Sequence, residues 1–456
     1  MRISMTKAHH EALTDHLYPG DGKEAVCLAL CGRQRTPSGQ ERLLIRKVIP
    51  IPYESCSTRT PDRVIWDTSL PVPLIEQALK GNYGIIKIHS HPAGYRDFSE
   101  FDDISDKSIF NTILCALDDG RPHASLIMLP DGELVGRGVL PDLNFVEQER
   151  ITIVGDQITF FGDTHDDSDV PSHGKRTAQA YGDATYNTMR KLRIGVAGAS
   201  GTGSLIIEQL HRSGVGEIVI LDPKLVEDKN LNRIIYTTVD DVEYQLPKVE
   251  VLKNAIEKSG LGTKITAIHG DLFNEEVIRE FAACDIVVGS MDTAEGRHIL
   301  NRLAAFYIIP YFDVGVSLTA DGNGNIEAIN GGVHYLTPGG SSLLNRGVIT
   351  QERIRADALF RSNPEEYAKQ RQEGYIQGVN EDKPAVMPVN MFFSGLTVME
   401  ILARIHGHRY DNSDFAQQII RVDEAIYTTV GEGQPCQALS MHLGKGDTTP
   451  ILDMVI

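Results

Sequence analysis

Short apolar runs separated by polar turns mark the first 160 residues. EAVCLAL, LLIRKVIPI, GIIKIHSH and HASLIMLP are apolar and rich in β-branched residues, and they read as strands. Asp131-Gly132, between two such runs, predicts a hairpin turn. IFNTILCALDD reads as a helix covering the sheet, and MRISMTKAHHEALTDHL as an amphipathic helix. FGDTHDDSDVPSHGKR is polar and acidic with Pro and Gly, and predicts a linker over 162–175. From residue 176 strands and helices alternate. LRIGVAGA, EIVILD, KITAIHGDL and CDIVVGS are strand-like, while SLIIEQLHRSG and PKVEVLKNAIEKSG are helical. That alternation predicts an α/β domain with a largely parallel, helix-covered sheet over 176–430. Residues 340–385 are charged and less periodic, as a crossover loop would be. PVNMFFSGLTVMEILARIHG reads as a buried helix, and a final hairpin is expected from about 420, with a tail over 431–456.

Composition narrows the class. A chain of 456 residues exceeds one ordinary core, so two or three domains are expected, among them a mixed α/β domain over 1–161 and the α/β domain. A formal net charge of −18 argues against a nucleic-acid partner held by phosphate neutralisation. No run of 18 or more apolar residues occurs, so no membrane span is expected, and the N-terminus lacks a signal peptide's apolar core. Six scattered cysteines (27, 31, 56, 115, 284 and 436) show no disulfide framework, and a cytoplasmic location is the expectation.

Chemistry concentrates first at H-S-H-P-A-G-Y-R-D-F-S-E-F-D, which holds His89, His91, Ser99 and Asp102. Residues i and i+2 of a strand share a side, so both imidazoles project together and Asp102 can add an oxygen. Two histidines, one carboxylate and an open position describe a catalytic zinc site better than a closed structural one. S-x-x-D is also the pattern of a capping box, and Ser99 is expected to cap a helix as well. With this spacing the segment resembles the JAMM (MPN, JAB) metalloproteases, which cleave bonds after the C-terminal glycine of ubiquitin-like proteins. The resemblance implies that His89, His91 and Asp102 bind zinc. It assigns Glu24, in GKEAVCLALCGR, as general acid/base, and Ser99 as a donor to the developing oxyanion. Without those neighbours Glu24 would read as an exposed strand-end carboxylate.

A second concentration follows the first strand of the α/β half. Gly198, Gly201 and Gly203 lie in GASGTGS, opening a helix whose backbone N–H groups can approach phosphates. Asp222 ends the next strand, where an acid can hold ribose hydroxyls. This much fits any Rossmann-type protein, NAD-dependent enzymes included. Asn230, Arg233 and Lys248 then supply polar and cationic groups suited to a triphosphate, and Asp292, in VVGSMDTAEGR, a carboxylate for Mg²⁺.

Together these residues resemble the ubiquitin-activating, ThiF and MoeB superfamily, which adenylates the C-terminal glycine of β-grasp proteins. The resemblance assigns ribose to Asp222, phosphates to Asn230, Arg233 and Lys248, and magnesium to Asp292. It gives Arg176 to a partner subunit's nucleotide, across a homodimer. Ser200 stands where many relatives have a third glycine. Residues 300–430 hold no cysteine for a thioester, which leaves Cys436 as a thiol candidate. Ser342 and Asn345 stand where relatives carry a zinc-binding C-x-x-C, so no zinc is expected in this half. The implied protein uses ATP, Mg²⁺ and Zn²⁺ to activate a ubiquitin-like partner and to mature or remove it. A conjugating enzyme or sulfurtransferase would act next, and a sulfur carrier is the alternative partner.

Overall fold

The computed structural model describes residues 1–67, 69–162, 169–373, 376 and 384–454. Residues 163–168 of the expected linker, and most of 374–383 in the expected crossover, lie outside the described residues. The chain forms two compact units, and two short returns join the first: Met1–His165 with Phe306–Ile308 and Leu443–Asp453, against the remainder.

The first unit holds strands β1 (Arg2–Thr6), β2 (Val26–Arg35), β3 (Glu41–Pro50), β4 (Cys56–Thr60), β5 (Arg63–Trp66), β6 (Gly84–Ser90), β7 (His123–Met128), β8 (Leu134–Val139), β9 (Phe145–Glu147), β10 (Arg150–Val154) and β11 (Ile158–Gly162). Its helices are α1 (Lys7–Leu17), α2 (Val72–Gly81) and α3 (Glu100–Leu117). Nine strands form one sheet in the order β11-β10-β1-β3-β2-β6-β7-β8-β9, and β4 pairs with β5 apart from it. Alternation along β2 divides the core. Cys27, Ala29 and Cys31 pack with Leu13 and Leu17 of α1, while Val26, Leu28 and Leu30 pack with Leu74 of α2 and Phe110 and Ile113 of α3. On β6, Ile86 and Ile88 face α1 and Ile85 faces the α3 side, so Lys87 and His89 also point toward α3.

The expected N-terminal helix is a strand in its first third. Ile3 and Met5 are fully buried in the core, and β1 pairs in parallel with both β3 and β10. Two neighbouring strands satisfy its backbone, which local helical periodicity could not foretell. The helix begins only at Lys7, where the Thr6 hydroxyl accepts from the His9 backbone N–H at 3.3 Å.

The second unit holds β12 (Arg193–Ala197), β13 (Glu217–Leu221), β14 (Lys264–Ile268), β15 (Ile286–Gly289), β16 (Tyr311–Ala320), β17 (Ile326–Leu336), β18 (Gln417–Arg421) and β19 (Ile426–Val430). Its helices are α4 (Lys175–Tyr181), α5 (Asp183–Lys191), α6 (Gly201–Arg212), α7 (Val239–Glu243), α8 (Lys248–Ser259), α9 (Glu275–Ala282), α10 (Ala294–Tyr307, whose last two residues belong to the first unit), α11 (Gln351–Ser362), α12 (Pro364–Gln372), α13 (Met387–Ile405) and α14 (Gln437–Ser440). The sheet runs β14-β13-β12-β15-β16-β17-β18-β19. It is parallel as far as β16 and antiparallel beyond. The unit is thus a Rossmann-like α/β fold with an antiparallel extension.

Two expectations change here. The charged stretch read as a crossover loop contains α11 and α12, started by Thr350 and by Asn363-Pro364, whose side-chain oxygens accept from the Arg353 and Glu366 N–H groups. The α13 helix is buried along one side only, since Met391, Phe392 and Met399 are exposed on the other. No helix among the described residues is long and apolar enough to cross a membrane.

Candidate functional sites

In the first unit, β6 and α3 deliver three donors to one point. His89 is the last residue but one of the buried strand β6 and His91 follows its end, held by its backbone N–H to the Met128 carbonyl at 3.0 Å. Asp102 sits in the first turn of α3. The His89 and His91 Nε2 atoms are 3.0 Å apart, and the Asp102 carboxylate lies 3.0 Å from the first and 3.6 Å from the second. One ligand atom from each residue lies within 4.8 Å of the others, and all three residues are buried. His91 Nδ1 donates to the Tyr95 carbonyl at 2.7 Å, which leaves its Nε2 lone pair free in the neutral ring. Two imidazole nitrogens meeting beside a carboxylate suit a shared cation, so this donor set fits zinc.

Burial opposes the charge on Asp102, yet hydrogen bonds with His89, His91 and Ser99 hold its carboxyl well below the usual range. Burial lowers His89. At His91 burial is outweighed by Asp102 and the Tyr95 carbonyl, and the ring titrates above its ordinary value. The expected capping box is present. Ser99 N–H and Oγ–H donate to Asp102 Oδ2 at 2.8 and 2.7 Å, and Asp102 N–H donates to Ser99 Oγ at 3.1 Å. The single Ser99 proton therefore points at Asp102, and serving an oxyanion requires the hydroxyl to rotate.

Glu24 precedes β2, whose register sets Val26 against His89 and so Glu24 opposite His91. Its N–H donates to the Thr60 carbonyl at 2.8 Å, and its carbonyl accepts from Arg59 Nε at 2.9 Å. The residue is buried rather than strand-end and exposed. Burial pushes its carboxyl up to about 7, with His91 opposing and Asp102 assisting. The orienting groups Tyr95, Arg59 and Thr60 carry no sequence signal, because they act through backbone contacts or from a separate hairpin.

In the second unit, β12 and β15 end side by side, with Ala197 beside Gly289 and the Ser290 N–H on the Ala197 carbonyl at 2.9 Å. The glycine loop leaves β12 there. Gly198 has φ +99°, and a Cβ on it would stand 2.8 Å from the Ser290 carbonyl oxygen. A Cβ on Gly203 would stand 1.9 Å from the Gly198 carbonyl oxygen, so only glycine lets α6 start this close to the strand. Ser200 is the N-cap of α6, but its side chain makes no capping hydrogen bond.

Asp222, at the end of β13, latches this loop. Its carboxylate accepts from Ala199 N–H and from Lys224 N–H, both at 2.9 Å. The Leu225–Pro247 bridge and the Lys248 N–H on the Lys224 carbonyl, at 3.3 Å, bring Lys248 to the same end of the sheet. Burial lowers the Lys248 ammonium, Asp222 opposes that shift, and Lys224 and Arg233 reinforce it. Arg233 lies over the start of α6, its Cδ 3.2 Å from where a Gly201 Cβ would stand. Its guanidinium donates to the Lys229 carbonyl and, at 3.0 Å, to Asn232 Oδ1. Asn230 is buried, with Oδ1 accepting from Glu227 N–H at 3.1 Å. Asp292 is exposed in the turn between β15 and α10.

Arg176 stands apart from this group, exposed on α4. Sequence reasoning passed over Ser290, whose Oγ donates to the Gly198 carbonyl at 2.9 Å, and Asn390 on α13, which accepts from Thr202 Oγ1 at 3.3 Å. It also passed over Asp357 on α11, which caps α10 through the Ala294 N–H at 2.6 Å. The last two come from distant segments with no local motif. Ser342 and Asn345 bond to each other at 2.6 Å, and Cys436 is buried beside Ala305 and Leu439.

Comparison with known proteins agrees with this second geometry. SUMO-activating enzyme subunit 2 of Dictyostelium discoideum is 29% identical over 155 residues, 34% of this chain and 23% of that protein. The sulfur carrier protein ThiS adenylyltransferase of Bacillus subtilis is 28% identical over 130 residues, 28% of this chain and 39% of that protein. The SAMP-activating enzyme E1 of Haloferax volcanii is 31% identical over 118 residues, 26% of this chain and 43% of that protein. Each match spans less than half of the relative's length. The ThiF family matches residues 174–432, more than half of the 456 residues, and the chain belongs to that family.

Proposed function

We propose that the second unit adenylates the C-terminal glycine of a ubiquitin-like or other β-grasp protein, and that the first is a zinc-dependent (iso)peptidase that matures or removes such a partner. The observation that carries the adenylation half is the meeting of a latched glycine loop, an open helix N-terminus and the buried cation Lys248 at one end of a parallel sheet. The ThiF membership and the names of the relatives support a protein as the acyl donor.

In the proposed reaction a glycine carboxylate oxygen bonds to the α-phosphorus of ATP. The bond to the β-phosphate bridge breaks, and pyrophosphate leaves. Lys248, Arg233 and the α6 N–H groups offset the charge that gathers on the phosphates. Asp222 retains lone pairs after accepting two N–H groups and can take ribose hydroxyls. Asp292 is free to hold Mg²⁺. Arg176 belongs to the homodimer form of this reading, in which a second copy lends an arginine. Because residues 300–430 hold no cysteine, the acyl-adenylate is passed directly to a conjugating enzyme or sulfurtransferase, or to a serine or threonine of the crossover. A covalent enzyme–partner adduct trapped in mass spectrometry would decide for the latter.

The peptidase half rests on the convergence of His89, His91 and Asp102 beside a carboxyl raised to about 7. A zinc ion on those three residues supplies Lewis acidity toward the scissile carbonyl. Glu24 takes the proton of the attacking water and returns it to the leaving amine. Ser99 holds Asp102 until its hydroxyl turns toward the oxyanion.

ATP–pyrophosphate exchange with candidate β-grasp proteins tests the first half. Exchange that needs the partner's terminal glycine supports it, and none with any partner by a folded, ATP-binding chain overturns it. A second reading, favoured by the ThiS adenylyltransferase relative, makes the partner a sulfur carrier whose precursor is trimmed by the first unit. A thiocarboxylate product identifies that route, and isopeptide-linked products identify conjugation.

A further inference from the structure

The face of β6 that carries His89 carries a second charge one step earlier, and α3 answers both. Lys87 precedes His89 by two residues, and Asp106 follows Asp102 by one helical turn. Lys87 Nζ lies 2.6 Å from Asp106 Oδ1, and His89 Nε2 lies 3.0 Å from Asp102 Oδ1. The strand and the helix are therefore joined at two successive rungs. Lys87 also donates to Ser105 Oγ at 3.2 Å.

A third anchor comes from β8. Arg137 reaches the other Asp106 oxygen at 2.8 Å and Asp103 at 2.5 Å. Its guanidinium stacks on Phe98 and Phe145, 3.8 and 3.6 Å from the ring centres. Phe98 in turn lies beside the His89 ring, with centroids 6.2 Å apart.

Lys87 and Asp106 are 3% and 0% exposed, so both charges are taken out of water. Apolar residues of similar volume would hold a helix on a sheet at least as firmly, because desolvation cancels most of what a buried pair gains. What a buried pair adds is direction. An apolar contact tolerates small sliding and rotation, whereas a charge pair at 2.6 Å does not. The residue whose placement depends on this is Asp102, one turn away, which must meet two nitrogens at once.

We propose that Lys87, Asp106 and Arg137 are positioning residues that fix α3 on β6 in the register that brings Asp102 onto His89 and His91, and so set zinc affinity without touching the ion. The proposal rests on the zinc reading of the first unit.

The test uses the full chain with two variants, the double substitution Lys87→Met with Asp106→Leu, and Arg137→Met alone. Circular dichroism and thermal unfolding report the fold. Competition with a chromogenic chelator gives zinc affinity. The visible spectrum of the Co²⁺-substituted protein reports coordination geometry, which a merely structural role would not alter. The expected result is a folded double variant, unfolding no earlier than the parent, with zinc bound 10- to 100-fold more weakly and a changed cobalt spectrum, about the loss typical of groups that orient metal ligands. Parental affinity and spectrum in a folded double variant overturn the proposal, and if that variant does not fold, the same result in Arg137→Met does so. If the parent takes up no zinc, or keeps it after His89→Ala, the zinc reading itself falls and takes this proposal with it.

Discussion

At the scale of single residues, burial does most of the work at both sites. Glu24 is the clearest case: a carboxyl titrates at about 7 because burial denies it water, in a chain where the ordinary value is 4.5. Between those values the folded chain keeps a proton that the unfolded chain releases. The stability this proton contributes is complete below about pH 4.5 and is lost as pH rises through about 7. Glu24→Gln cannot ionise. In chelator-treated protein its melting temperature should gain on the parent's from about pH 4.5 to 7 and stay level above. A constant difference across that range would show that the native carboxyl is not raised. In the zinc-loaded protein the ion's charge pulls the carboxyl down, so the rising limb of the peptidase pH profile should lie at or below about 7, and Glu24→Gln should lack the activity. At the other site Lys248 is buried, with no hydrogen bond or ion pair to its ammonium among the described residues. On the adenylation reading its charge serves the ATP phosphates, and Lys248→Met should cut ATP–pyrophosphate exchange by about 100-fold or more while the protein stays folded.

Elements explain why some of this was legible in the sequence and some was not. The βαβ run was legible because each strand is a compact β-branched block between turn residues, whereas the order β14-β13-β12-β15-β16 is set by long-range pairing that alternation alone does not specify. H-x-H was legible because β6 alternates strictly through His89, and His91, one residue past the strand's end, still brings its Nε2 to within 3.0 Å of the His89 Nε2. The strand β1 was not, because Arg2–Thr6 owes its conformation to pairing with residues 42–44 and 150–154. Helix termini lie between these cases. Ser99 was readable as a cap, and its reciprocal bonds with Asp102 tie the start of α3 to the proposed metal donors. Ser99→Ala should cost about 1 kcal/mol in chemical denaturation. It should also weaken zinc binding, and Ser99→Thr should restore most of both. At the second site the element boundary is steric. Gly203→Ala would place a methyl 1.9 Å from the Gly198 carbonyl oxygen. The start of α6 would have to move, and equilibrium dialysis should find ATP binding lost.

Over the whole molecule, local pattern loses its reach. The return of Leu443–Asp453 to the first unit rests on close approaches across some 400 residues of chain: Gly446 bridges Arg33, and a Cβ on Gly32 would stand 2.0 Å from the Gly444 carbonyl oxygen. Glycines in a tail are the sole local trace of that contact, and they fit a loop equally well. Both sites, by contrast, draw every proposed residue from within one unit: Glu24, His89, His91, Ser99 and Asp102 from the first, and residues 176–292 from the second. Neither constellation borrows a side chain from the other, so each chemistry should fail alone. Asp292→Ala, at an exposed turn, should abolish pyrophosphate exchange and leave cleavage of a glycine-linked fusion at the parental rate. Glu24→Gln should do the reverse. Both assays belong on the same preparations, with zinc content measured, because a variant that lost metal would mimic a lost base. If Asp292→Ala removed both activities from folded, zinc-replete protein, the peptidase would be acting on the adenylated or transferred product, and if Glu24→Gln did so, the partner would need trimming before it could be adenylated.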